Sequence, residues 1–171
     1  MSKENNIKKI SFEKGVRLSK STAYLFYEFE NATDINITNL DTTNVQLMDW
    51  MFYNCSSLKT IDLSKMRTDN ATYFGCMFRG CSGLTSLDLS TFTSYKAIYM
   101  DRMFMDCKSL TKACFLPATN LAPNCYSRMF QGCESLKYLK VAFESWTNST
   151  NATLCWVVEV PEGGLFEGPD S

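Results

Sequence analysis

The 171 residues contain no histidine, and that absence removes a large share of catalytic chemistry. Ser-His-Asp and Cys-His nucleophile pairs, histidine general acid–base steps and His-containing zinc sites all need the imidazole. No Cys-x-x-Cys pair occurs among the eight cysteines, so the usual spacing of a thiolate metal site is missing as well. Carboxylates and lysines are present without a catalytic motif around them. The expectation is a protein that is not an enzyme, with no cofactor and no metal.

Charge of one sign is also missing. The formal net charge is −1, with no long run of like charges. A nucleic-acid binder needs a clustered basic face, so nucleic acid is not an expected partner. No apolar stretch approaches the roughly 18 residues needed to span a bilayer, and no membrane insertion is expected. The first ten residues, Met-Ser-Lys-Glu-Asn-Asn-Ile-Lys-Lys-Ile, lack the apolar h-region of a secretory signal. Three situations fit: a chain kept in the cytoplasm, one that leaves by another route, or a piece of a longer exported protein.

What the chain does have is a repeat. Met-Phe-x-x-Cys-x-x-Leu occurs four times, as Met51-Phe52-Cys55-Leu58, Met77-Phe78-Cys81-Leu84, Met103-Phe104-Cys107-Leu110 and Met129-Phe130-Cys133-Leu136, at a constant step of 26 residues. A fixed period of this length marks units that cannot bury their apolar faces alone and must stack. The register extends outward: Leu25-Phe26 lies one step before the first clean copy and Cys155-Trp156 one step after the last, with Phe29 in the cysteine slot.

Each block is followed by a short alternating segment, such as Ile61-Asp62-Leu63, Leu87-Asp88-Leu89 or Leu139-Lys140-Val141. Alternation is the signal of a strand with one buried face. One strand per unit, always the same way up, predicts a parallel sheet. Seven rungs at about 4.8 Å each would span roughly 29 Å. Between strands, Met48, Met51 and Phe52 fall at helical spacing, as do Met100, Met103 and Phe104. A short helix is predicted there, ending at the Gly80-Cys81 and Gly132-Cys133 turns. The predicted class is therefore an α/β repeat solenoid, like a leucine-rich-repeat stack, with a parallel sheet on one side and short helices on the other. Residues 1–24 would form an N-terminal cap, 25–142 the repeats and 143–171 a C-terminal cap.

The run Cys55-Ser-Ser-Leu-Lys-Thr-Ile-Asp-Leu-Ser64 and its echo from Cys81 to Ser90 resemble the BspA-type leucine-rich repeats of bacterial surface proteins. The resemblance covers roughly residues 24 to 142, and the 151–166 tail resembles the closing unit of such arrays. It implies a leucine-rich-repeat solenoid at the cell surface with a role in adhesion or host interaction. It supplies no catalytic residues.

Two sets of residues are candidates for function. Cys55, Cys81, Cys107 and Cys133 form a ladder whose readings are a disulfide stack, a thiolate site, or small buried hydrophobes. Helices packed side by side stand about 8–10 Å apart, beyond the ~7 Å Cα limit of a bridge, which favours the last. Outward strand residues define a concave face: Asn36, Asp62, Asp88, Lys112, Leu116, Tyr138 and Lys140. Asp62 and Asp88 would lie one strand spacing apart as a like-charge pair that a cation or basic partner relieves. Leu116, just before Pro117, would sit beside Tyr138 as a small apolar patch. Against a binding role stands a solvated face kept polar. The sequons at Asn31, Asn36, Asn70, Asn148 and Asn151 follow from a turn-rich Asn and Thr composition.

The leading expectation is a non-catalytic recognition or adhesion module that binds a protein or glycan through its solenoid surface. The alternatives are a structural or accessory component of a bacteriophage particle (capsid, fibre or tail), and a cytoplasmic protein-interaction scaffold. Assembly into a larger complex or a homo-oligomer fits the unpaired strand edges that an open stack leaves at its ends.

Overall fold

A constant 26-residue step lets each rung of chain lie directly on the one before, and the computed structural model shows that stack. It describes residues 6–93, 96–114, 126–140 and 165–167. The strands are short: β1 (Lys9–Ile10), β2 (Val16–Arg17), β3 (Asp34–Ile35), β4 (Leu40–Asp41), β5 (Ser86–Asp88), β6 (Lys112–Cys114), β7 (Tyr138–Lys140) and β8 (Leu165–Glu167). All pairing is parallel, in three sheets: β1 with β3, β2 with β4, and β5-β6-β7-β8 in that order. Between β5, β6 and β7 the register is one repeat, Leu87 opposite Ala113 and Ala113 opposite Leu139, whereas the outer pairs are offset differently, with Lys9 opposite Asp34, Val16 opposite Leu40 and Leu139 opposite Phe166. A further column of single bridges joins Ser21, Leu47, Tyr73 and Tyr99.

The predicted short helices are absent: the described residues contain no helix, so the α/β solenoid with helices along one side does not hold. The Met-Phe block is instead a chain of tight turns bonded to the next rung. Alternate N–H groups leave the rung altogether: Trp50 donates to the Gly75 carbonyl at 3.0 Å, Phe52 to Met77 at 2.9 Å and Asn54 to Arg79 at 2.8 Å. The intervening N–H groups close turns three residues back, Met51 to Met48, Tyr53 to Trp50 and Cys55 to Phe52. The same scheme recurs one step on, where Cys76 donates to Asp101 and Phe78 to Met103.

Two positions per rung have left-handed backbone, one at Tyr24, Trp50, Cys76, Arg102 and Arg128, the other at Glu28, Asn54, Gly80, Asp106 and Gly132. An α-helix cannot contain them. At each reversal of φ the left-handed residue sends its own N–H to the neighbouring rung, while the N–H of the residue after it folds back onto its own rung, as at Trp50 and Met51 or Asn54 and Cys55. The inward positions still fall three and four apart, which is why their apolar spacing matches that of a helix. The predicted strand Ile61-Asp62-Leu63 also fails to pair, and the strand column is interrupted there.

Like lies on like inside the stack. Phe26, Phe52, Phe78, Phe104 and Phe130 form one pile of near-parallel rings with centroids 5.1, 5.2, 5.8 and 5.2 Å apart. Met51, Met77, Met103 and Met129 are buried beside it, as are Leu58, Leu84, Leu110 and Leu136. Offset-stacked rings add to the burial of their own area.

The cysteine ladder is buried and its thiols are free. The helix spacing invoked above does not apply, because hydrogen-bonded rungs stand about 4.8 Å apart, within bridging range. Each sulfur instead faces a carbonyl of the rung before. Cys55 Sγ lies 3.2 Å from the Phe26 oxygen, and Cys81, Cys107 and Cys133 lie 3.1 Å from those of Phe52, Phe78 and Phe104. The thiol thus satisfies an acceptor that also closes the turn to its own rung's cysteine position. Burial pushes the Cys81 and Cys107 thiols well above their usual range and that of Cys133 up to about 12.

Two outcomes follow from this packing. Removing one ring from the pile, as in Phe78→Ala, should lower unfolding stability by about 3–5 kcal/mol, measured by urea denaturation. Iodoacetamide at pH 8 should label Cys81, Cys107 and Cys133 only as fast as the protein unfolds, because their thiolates are scarce and enclosed. Labelling at the rate of a free thiol, followed by peptide mass analysis, would contradict that arrangement.

Candidate functional site

The sequence-predicted face is dispersed rather than convergent. Asn36 is exposed, and its side-chain oxygen accepts from the Thr38 N–H at 3.0 Å and the Thr38 hydroxyl at 2.7 Å. Asp62 and Asp88 do the same two residues on, accepting from the Ser64 N–H at 2.9 Å and the Ser90 N–H at 2.8 Å. These local turns are the physical use of Asn and Asp at these positions. Hydrogen bonds from Ser64 hold the Asp62 carboxyl below its usual range, and those from Ser90 do so for Asp88, with Lys112 adding its charge. Neither carboxyl is shifted by the other, so the like-charge repulsion expected between the two does not arise here.

The structure does bring Asp62 and Asp88 to one recess, with Ile61, Leu63, Ser64, Ser90 and Thr91. It lies where the strand column is interrupted. At about 90 Å³ it is far below the roughly 300 Å³ at which small-molecule pockets begin. Among the described residues no three of His, Cys, Asp and Glu are grouped as a metal site.

Further along, Lys112 is exposed on β6, directly opposite Tyr138 of β7, with its ammonium 5.1 Å from the ring centroid. Lys140 ends β7 opposite Cys114. Leu116, Pro117, Cys125, Asn148, Asn151 and the Cys155-Trp156 unit lie outside the described residues.

A different surface, not singled out from the sequence, gathers more exposed aromatic area. Tyr24, Tyr27, Trp50 and Tyr53 form a two-by-two array across the first two rungs. Tyr24 stacks on Trp50 at 6.1 Å and Tyr27 on Tyr53 at 4.9 Å, while Tyr24 meets Tyr27 edge-on at 5.5 Å and Trp50 meets Tyr53 at 4.9 Å. Arg79, one repeat beyond Tyr53, lays its guanidinium 5.9 Å from that ring. Tyr24 is 55% exposed, and the other three rings are half-buried. Desolvation, and then a hydrogen bond to Glu28, push Tyr27 above its usual range. A second exposed column is Leu47, Tyr73 and Tyr99, one per rung, with the two tyrosines stacked at 5.0 Å. The available signal was the pair Tyr24-x-x-Tyr27 and Trp50-x-x-Tyr53 exactly one repeat apart.

Residues 20–146 match the family described as "Mycoplasma protein of unknown function, DUF285". The match takes in most of the chain, and the chain belongs to that family. The description names neither BspA-type repeats nor an activity. No curated protein matches the sequence. Among solved structures the chain is similar to the leucine-rich-repeat protein TpLRR of T. pallidum, with 18% identity and a TM-score of 0.49. That alignment covers 90% of this chain and 66% of the other, so the chain spans under two thirds of its length. No helix among the described residues is long and apolar enough to cross a membrane.

The turn carboxylates set a pH dependence. Hydrogen bonds from Thr43 and the Arg17 guanidinium at 2.9 Å hold Asp41 at about 2. Its usual value is about 3.9. Stability from this group is complete above that value and is lost as pH falls towards 2. Asp62, Asp69 and Asp88 are shifted in the same direction. The urea midpoint should therefore hold steady from pH 7 to 5 and drop between about pH 4 and 2. In Asp41→Asn that drop should be smaller.

Proposed function

We propose that this chain is a non-catalytic recognition module of adhesion type, binding a protein or glycan through the lateral surface of its stack. One observation carries the reading. Large aromatic side chains stand exposed on the outside of the rungs, Tyr73 at 37% and Tyr99 at 45% in one column and Tyr24 at 55% in another, while the motif residues fill the interior. Exposed aromatics cost solvation unless a partner covers them, and contiguous ones mark interaction surfaces. The rungs hold these side chains in place without a partner present, so little ordering entropy remains to be lost on binding.

A lack of histidine and of a grouped metal-ligand set among the described residues supports binding over turnover. The strand face with Asn36, Asp62, Asp88, Lys112, Leu116, Tyr138 and Lys140 is the lesser part of this surface in our reading. The first three residues already spend side-chain acceptors on their own turns.

Immobilised chain presented with a panel of defined extracellular proteins and oligosaccharides should give saturable binding to at least one. The bound partner should be recovered with unchanged mass. Partner recovered cleaved or modified would replace this reading with an enzymatic one, and a panel without any saturable binding would count against it.

A further inference from the structure

We infer that the Tyr24–Tyr27–Trp50–Tyr53 array is a seat for a basic polypeptide segment, with an arginine or lysine of the partner laid on the Tyr24–Trp50 pair. The inference rests on the recognition reading above and gives it a site and a partner chemistry. Two features of the array point to a cation.

The first is an intramolecular example. The Tyr27–Tyr53 column is continued by Arg79, whose guanidinium lies 5.9 Å from the Tyr53 ring centroid. Ring faces are negative and attract guanidinium and ammonium groups. In the adjoining Tyr24–Trp50 column the residue one repeat further on is Cys76, which is buried and carries no charge to offer. One column thus has a guanidinium laid over its ring, whereas in its neighbour Arg79 and Arg102 lie near the Cys76 thiol and the cation–ring contact falls on Tyr53 rather than on Tyr24 or Trp50.

The second is charge. The two stretches that build the array, residues 22–31 and 46–57, contain Glu28, Glu30 and Asp49 and not one lysine or arginine. Glu28 is exposed beside Tyr27, and Asp49 precedes Trp50 and is half-buried. Glu30 is exposed and accepts from Asn54 Nδ2 at 2.9 Å. Carboxylates and ring quadrupoles act in the same sense, favouring a cationic partner and disfavouring an anionic one. A neutral glycan would use the rings and gain nothing from the carboxylates.

Tyrosine, tryptophan and arginine are also the side chains that dominate the centres of protein interfaces. They offer wide, rigid contact at a small entropy cost.

The test uses the full chain and fluorescein-labelled (Gly-Arg)5 and (Gly-Glu)5 peptides, read by fluorescence anisotropy. (Gly-Arg)5 should bind saturably and (Gly-Glu)5 should not. Tyr24→Ala should weaken binding about tenfold. Glu28→Gln and Asp49→Asn should each weaken it about threefold and flatten its dependence on salt. Ile98→Ala, an exposed apolar side chain outside the array and outside the tyrosine columns, should leave it unchanged. Because Tyr24 is more than half exposed and the two carboxylate changes are isosteric, all three variants should keep the native circular dichroism spectrum.

Absence of (Gly-Arg)5 binding, or equal binding by Tyr24→Ala and Ile98→Ala, would overturn the assignment. So would maltohexaose binding lost in Tyr24→Ala while (Gly-Arg)5 is ignored, which makes the array a glycan platform. If the panel above yields a partner whose affinity none of these variants alters, recognition stands and this seat alone is wrong. If both panel and peptide fail, both readings fall together.

Discussion

Everything in this molecule depends on the hydrogen bonds that alternate N–H groups of one rung make to carbonyls of the next. They are possible only because two residues in each Met-Phe block adopt left-handed backbone. That conformation costs an ordinary L-residue roughly 1–2 kcal/mol, and here it is imposed at tyrosine, tryptophan, cysteine and arginine. The stack repays it by giving those N–H groups carbonyl acceptors in the neighbouring rung. A single rung would have the strain without the partners. A rung therefore needs a neighbour, and folding of repeats that contact only their neighbours can begin at any adjacent pair and spread from it.

The interior shows how far side-chain chemistry can assist a backbone ladder. The Phe26–Phe130 pile and the cysteine column sit on either side of the same turn. Each cysteine is small enough to fit under the next rung and carries a proton for a carbonyl that the rung itself leaves half-satisfied. Serine would donate more strongly but brings a more costly group into the interior. Alanine would leave the oxygen with one partner fewer. The recurrence of cysteine has a packing and hydrogen-bonding reason that requires neither metal nor oxidation.

Much of the stacking was legible in the sequence, and one part of it was misread for an identifiable reason. The 26-residue step announces which residues overlie which, so the Phe, Met, Cys and Leu columns could be listed before any coordinates. The helix between strands was wrong because inward positions three and four apart are shared by a helix and by consecutive turns. Apolar periodicity is blind to the sign of φ. A cue was nonetheless present: the slot held by Asn54, Gly80, Asp106 and Gly132 uses the residue types that tolerate left-handed backbone best. Four helices in a row would not place such residues at one position. The aromatic array was missed for the opposite reason. It spans two rungs only, lies off the motif, and becomes a site only when the rungs are placed side by side.

The constant spacing has a consequence for how such a chain can change length. A rung added in the middle meets on each side the same columns of rings, thioethers and thiols that it would have met elsewhere. In-frame duplication or loss of 26 residues therefore leaves the interior intact and moves only what is displayed outside. Gain or loss of one residue within a Met-Phe block shifts its columns, whereas the ends of the stack tolerate other lengths: Lys9 lies opposite Asp34, a step of 25, and Tyr138 opposite Leu165, a step of 27. Within the Met-Phe blocks, change in whole units is the route that keeps every column in line.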